Sequence, residues 1–274
     1  MLIDTHCHLD AAEFEHDRDA VLARARGEGV DAIVIPAVER GNFTAVRDLA
    51  RSFEGGHYAL GIHPIAVPHA GDSDLVHLEH CLAAALEDAR FVGVGEIGLD
   101  YFLPNLREPA MREKQEHFFD AQLGLAKKFG LPVIVHVRRS QDEVLKYLRR
   151  HAGVVGIAHA FNGSFQQAGQ FIDLGFVLGF GGAMTFERSL RIRRLAAQLP
   201  LDALVLETDA PDIPPAWLRR PGGGRPRNEP AEVARIGREM AALRGLSHEE
   251  VVKAAGENAR RVLPRLVAER VEPL

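Results

Sequence analysis

Short, almost continuously apolar runs alternate with longer amphipathic stretches along the whole chain of 274 residues. The runs fall at 2–5, 32–36, 58–62, 91–95, 132–135, 154–158, 176–179 and 203–207. Runs of this length without polar alternation are expected of strands buried on both faces, the habit of parallel sheets. Helical spacing fills the intervals at 18–28, 108–129, 141–151, 165–174, 230–243 and 248–263. Gly130-Leu131-Pro132 stops the second of these helices, and Ser247 with Glu250 forms a capping box before the last. Eight strand–helix alternations predict a TIM-type (β/α)8 barrel, occupying 1–274 as one α/β domain with no linker and no internal repeat. The rival is an open doubly wound sheet, which is weakened because no G-x-G-x-x-G follows the first strand. In a barrel, chemistry sits where strands end on their C-terminal side, so functional residues should cluster there.

They do so in the sequence. The first run ends Asp4-Thr5-His6-Cys7-His8, and residues two apart on an extended segment point the same way, so His6 and His8 can converge on one ion. The fourth run ends Gly95-Glu96-Ile97-Gly98-Leu99-Asp100, which puts a carboxylate at a buried strand end, where a charge needs a partner. The fifth and sixth runs end on His136 and His159, and the eighth on Glu207-Thr208-Asp209. His6, His8, Glu96, His136, His159 and Asp209 exceed the three protein ligands of one catalytic zinc. Two divalent metals sharing Glu96 as a bridge fit the set better, with zinc, magnesium and manganese all open. Asp209 can ligate or accept a proton from water. His63, closing the third run in Gly61-Ile62-His63-Pro64, is placed for substrate contact. The histidines on helices and loops, His16, His69, His77, His80, His117, His151 and His248, read as solvated.

These residues resemble the TatD family of metal-dependent hydrolases, within the wider amidohydrolase-type barrels. The matching stretches are Ile3-Asp4-Thr5-His6-Cys7-His8-Leu9-Asp10, Gly61-Ile62-His63-Pro64, Gly95-Glu96-Ile97-Gly98-Leu99-Asp100, Leu131-Pro132-Val133-Ile134-Val135-His136 and Leu206-Glu207-Thr208-Asp209-Ala210-Pro211. The resemblance implies a two-metal phosphodiesterase of the deoxyribonuclease type. It also implies that His6 and His8 bind one metal, that Glu96 bridges, that His136 and His159 bind the other, and that Asp209 completes the site near the attacking water as base. One stretch departs from the pattern: the family often reads His-Cys-Phe-Ser-Gly where this chain has His159-Ala160-Phe161-Asn162-Gly163. The ligand survives there, while pocket shape and substrate preference are open.

A formal charge of −5 excludes a generally basic nucleic-acid scavenger, so contact with DNA or another phosphodiester must come from a local patch. Arg138 and Arg139 follow the fifth run, and the segment 219–228 carries Arg219, Arg220, Arg225 and Arg227 among three glycines. The residues expected against substrate are therefore His63, Asp100, Arg138, Arg225 and Arg227, with Phe102 and Trp217 as base-stacking platforms to weigh against ordinary packing. A different enzyme class is hydrolysis of a small ester, amide or lactone, or D-aminoacyl-tRNA deacylation, since the same barrel serves carbonyl chemistry. A non-enzymatic metal-binding protein would show a disrupted ligand set, which this is not. Two cysteines, Cys7 and Cys81, suit a reducing compartment. With no signal-peptide pattern at Met1-Leu2-Ile3 and no apolar run near membrane-span length, a soluble cytoplasmic protein with neither membrane nor protein partner is expected.

Overall fold

The structure, a computed structural model, describes residues 1–219 and 226–266. Among these, eight strands pair in parallel in chain order: β1 (Leu2–Asp4), β2 (Val30–Pro36), β3 (Gly56–Leu60), β4 (Phe91–Asp100), β5 (Val133–Arg138), β6 (Gly156–His159), β7 (Phe176–Phe180) and β8 (Leu204–Leu206). The α-helices are α1 (Arg18–Gly27), α2 (Phe43–Arg51), α3 (Asp72–Ala85), α4 (Pro109–Phe129), α5 (Gln141–Arg150), α6 (Phe165–Asp173), α7 (Leu190–Gln198), α8 (Glu232–Arg244) and α9 (His248–Val262). The chain is the expected (β/α)8 barrel.

The barrel closes at a seam between β1 and β8. Thr5 N–H donates to the Leu206 carbonyl (3.1 Å), Asp209 N–H to that of His6 (2.8 Å) and His8 N–H to that of Ala210 (2.8 Å). The buried Asp4 carboxylate crosses the same seam, accepting from Thr208 N–H (2.9 Å) and Thr208 Oγ1 (2.6 Å).

Side-chain alternation layers the interior. Ile3, Val34, Ala59, Val92, Ile134, Ile157, Val177 and Val205 form an apolar lower layer, closed from beneath by Ala259 and Val262 of α9 and by Leu263 just after it. Two residues further along the same face of β5 and β6 stand His136 above Ile134 and His159 above Ile157. The apolar layer thus lifts the polar residues to the C-terminal mouth. Ser247 caps α9 through Glu250 as expected.

β4 runs five residues beyond its expected end at position 95. Glycine and glutamate interrupt its apolar pattern, but pairing with β5 continues through Ile97↔Val135, Gly98↔His136 and Asp100↔Arg138. Gly98 is needed there: its φ is 143° and an added Cβ would lie 2.1 Å from the His136 carbonyl oxygen. No helix among the described residues is long and apolar enough to cross a membrane.

Candidate metal centre

Six strand ends bring one set of side chains together in the barrel mouth. Glu96, 1% exposed, stands at its centre. Its two oxygens face different neighbours. Oε2 lies 3.0 Å from His6 Nε2 and 3.5 Å from His8 Nε2. Oε1 lies 2.8 Å from His136 Nδ1 and 3.4 Å from His63 Nε2. Asp209 Oδ1 closes the first side, at 3.7 Å from both His6 Nε2 and His8 Nε2 and 3.5 Å from His159 Nε2.

This donor set suits cations better than hydrogen bonding alone. His6 Nε2 and His8 Nε2 face each other at 3.2 Å, and one ring proton cannot serve that contact, Glu96 and Asp209 together. Nδ1 of His6 and Nδ1 of His8 are buried with no hydrogen-bond partner among the described residues. Among the described residues, atoms able to bind a metal lie within 4.8 Å of one another in three groups: His6, His8 and Asp209; His6, Glu96 and His159; His63, Glu96 and His136. His159 therefore groups with His6, on which its ring stacks at 3.6 Å between centroids, whereas its ring lies 6.4 Å from that of His136. The resemblance had paired it with His136.

The electrostatics follow from burial and neighbours. Burial alone raises the Glu96 carboxyl, but His63, His6 and His159 outweigh it and hold the group well below the usual carboxylate range. Burial disfavours charge on the imidazoles, yet Asp100 and Glu96 push His136 up to about 9, and Glu207, Asp209 and Glu96 push His159 up to about 10. Burial and then His159 keep His6 well below the ordinary imidazole value. Asp209 is pushed up to about 6 by burial, against the pull of His159 and His8.

Two carboxylates back the rings from outside, and one of them is hydrogen-bonded to its imidazole, an arrangement common around metal-binding histidines. Asp100 Oδ2 lies 3.3 Å from His136 Nε2, which leaves Nδ1 for Glu96. Asp100 is only 2% exposed, and Oδ1 accepts from Phe102 N–H at 2.8 Å and Leu103 N–H at 3.2 Å. The structure places Asp100, expected against substrate, behind the ring of His136. Glu207, equally buried, accepts from Ala160 N–H at 2.6 Å, and its Oε1 lies 3.1 Å from His159 Nδ1 without a hydrogen bond's alignment. Gly179 makes room for it: an added Cβ would meet Glu207 Oε2 at 2.1 Å.

His63 belongs to the cluster more closely than its expected substrate-contact position implied. Its Nδ1 accepts from Ile65 N–H at 2.9 Å. The neutral ring must then carry its proton on Nε2, so His63 offers a donor towards Glu96 and His136 rather than a lone pair. Strain also concentrates at the mouth. The non-glycine residues with positive φ among the described residues are Arg139 and Ala160, directly after β5 and β6, and Asp209 and Ile213 in the segment that follows β8.

The expected arginines separate. Arg138 lies near the centre, its Nη1 3.8 Å from Asp100 Oδ2. Arg227 does not reach it. Its guanidinium is committed to Asp17 through two contacts of 2.7 Å, to Glu229 at 2.7 Å and to the Glu13 carbonyl at 2.7 Å. Arg225 lies outside the described residues. Trp217 is ordinary packing: its indole N–H donates to Glu232 and Arg235 covers its ring. Of the histidines expected to be solvated, His151 instead pairs with Asp120 at 2.8 Å, and His248 Nε2 is buried without a hydrogen-bond partner among the described residues.

Comparison with known proteins agrees with this architecture. The family model "TatD related DNase" matches residues 3–264. The chain is 40% identical over 257 residues to the uncharacterized metal-dependent hydrolase YjjV of Escherichia coli K12, covering 93% of this chain and 95% of that one. The crystal structure of YjjV superposes with a TM-score of 0.88 at 38% identity, over 96% of this chain and 98% of the other. Human deoxyribonuclease TATDN3 is 30% identical over 270 residues, 97% of this chain and 95% of its own. The chain belongs to the TatD-related family of metal-dependent hydrolases.

Proposed function

We propose that the protein hydrolyses phosphodiester bonds of DNA, at ends or on single strands, with two divalent metal ions shared through Glu96. The observation that carries this reading is the division of Glu96, with Oε2 turned to His6 and His8 and Oε1 to His136. A human relative named as a deoxyribonuclease supports DNA as the substrate class. Paired divalent ions supply water activation and neutralise charge building on the phosphoryl oxygens. The protein's part is positional. His6, His8, Asp209, His159 and His136 would hold the ions with Glu96, while Asp100 orients the ring of His136 and the Glu207 charge lies beside that of His159. Asp209, with its side chain 14% exposed, is a carboxylate open to the mouth and is assigned as the base that takes the proton of the attacking water. His63, its side chain 12% exposed at the same mouth, is assigned to substrate contact.

Metal removal tests the reading. Chelator-treated protein should lose hydrolysis of a 3′-labelled single-stranded oligonucleotide, and reloading should restore it with a content approaching two ions per chain. A panel of small esters, lactones and D-aminoacyl esters runs in parallel. Turnover of that panel by loaded protein that leaves the oligonucleotide intact would replace phosphodiester by carbonyl chemistry.

A second expectation concerns Arg227. Because Asp17 and Glu229 hold its guanidinium, Arg227→Ala should lower the melting temperature by roughly 2–6 °C and leave oligonucleotide KM within about twofold. Arg227 holds the Asp17 carboxyl down to about 2. A depressed carboxyl contributes stability above its unfolded value, near 3.8, and loses it as pH falls towards 2. The variant's melting temperature should therefore fall less steeply than that of the wild type across that window. A large rise in KM without a thermal shift would return Arg227 to the substrate.

A further inference from the structure

Phe102 is a large apolar side chain left open at the barrel mouth, 39% exposed, two residues beyond Asp100. Two guanidinium groups lie over its ring, with Cζ of Arg138 3.9 Å and Cζ of Arg139 4.8 Å from the centroid. Both arginines come from the end of β5, the strand that carries His136. A guanidinium at stacking distance uses its face on the ring and keeps its N–H edge for an oxyanion. That edge is little used. Arg138 has Asp100 at 3.8 Å, longer than a hydrogen bond, and Arg139 has no carboxylate partner among the described residues. Two like charges sharing one ring repel each other, and Arg139 additionally adopts a left-handed backbone with φ 57°, which costs a non-glycine residue energy. Both are exposed, and Asp100, 3.8 Å from the Arg138 guanidinium, also orients His136. This is a preorganised pair of cations one side chain away from the metal-type donors.

We infer that Arg138 and Arg139, held on Phe102, form a subsite for the phosphate that neighbours the cleaved one in an oligonucleotide strand. The inference rests on the phosphodiesterase reading and sharpens it: the preferred substrate carries at least two phosphates, and a small diester fills only part of the site. A terminal phosphate presents the same oxyanion, so the test separates the two sources.

The experiment uses the metal-loaded full chain and single-stranded oligonucleotides carrying one uncharged methylphosphonate linkage, moved position by position around the cleaved bond. With wild-type protein, one position beside that bond should raise KM about 10-fold, since a charge-assisted contact is lost. Arg139→Gln should raise KM about 10-fold on the unmodified strand and then be indifferent to the methylphosphonate at that same position. Its KM should also depend less steeply on salt, by about 0.7 in the logarithmic slope for the lost phosphate contact. Glutamine is as constrained as arginine at a positive φ, so the backbone problem is unchanged, and equal metal content and melting temperature check the fold. Arg139→Lys, which keeps the charge, should recover part of the sensitivity to the neutral linkage. Losses that simply multiply, with the methylphosphonate effect intact in Arg139→Gln, overturn the subsite and leave the phosphodiesterase reading standing. Sensitivity confined to a terminal phosphate overturns the internucleotide assignment. Wild-type protein that holds metal and leaves the unmodified strand whole overturns both.

Discussion

Replacing Glu96 with glutamine is expected to reduce phosphodiester turnover by well over about 100-fold, more than the loss of an outer partner costs in a metal site. Metal content should fall from near two equivalents to about one. The substitution is nearly isosteric, so the packing around this buried side chain is kept. What changes is charge and symmetry. In the native protein both oxygens accept, one towards His6 and His8 and the other towards His136 and His63. An amide has one oxygen and one NH2 group, so only one side retains an acceptor and the other meets a donor. The cluster also loses a charge held well within the ionised range by His63, His6 and His159. Metal analysis beside kcat and KM reads both effects. Two equivalents retained with unchanged turnover would remove the bridging assignment.

The parts of this molecule legible in the sequence are those set by local pattern. Ile134 and Ile157 lie in apolar runs, and strand alternation then places His136 and His159 on the same interior face two residues on. α2, α3 and α7 were less legible. In α3 the buried stripe is only Leu78, Leu82 and Ala85, with exposed Val76 and several polar residues around it. What pattern cannot supply is the identity of a distant partner. Asp100 and His63 have the residue types of substrate contacts, and only the packing of β4 against β5 shows Asp100 behind His136. Arg227 sits in a basic stretch that suggests phosphate, yet its partner Asp17 is 210 residues away in the chain. The grouping of His159 with His6 is of the same kind, since it depends on how the seam between β8 and β1 closes.

Asp209→Asn should lower kcat by about 10²- to 10⁴-fold, the range for loss of a positioned proton acceptor, with KM for an oligonucleotide changed only a few-fold. Asp209 follows β8 at a backbone φ of 58°, fixed by its N–H donating to the His6 carbonyl at 2.8 Å. Aspartate and asparagine are the non-glycine residues best suited to that conformation, so asparagine keeps the backbone where alanine would add strain. Its side-chain oxygen can still stand where Oδ1 does, between His6, His8 and His159. The variant therefore retains a neutral ligand atom while losing the charge and the capacity to accept a proton. A base and a ligand then give different results. If Asp209 takes the proton of the attacking water, single-turnover rates fall while metal content stays near the wild-type value. If it only ligates, activity and metal content fall together, and excess metal restores both. A kcat within about threefold of wild type at full metal loading would take Asp209 out of proton transfer altogether and leave the attacking water to another group.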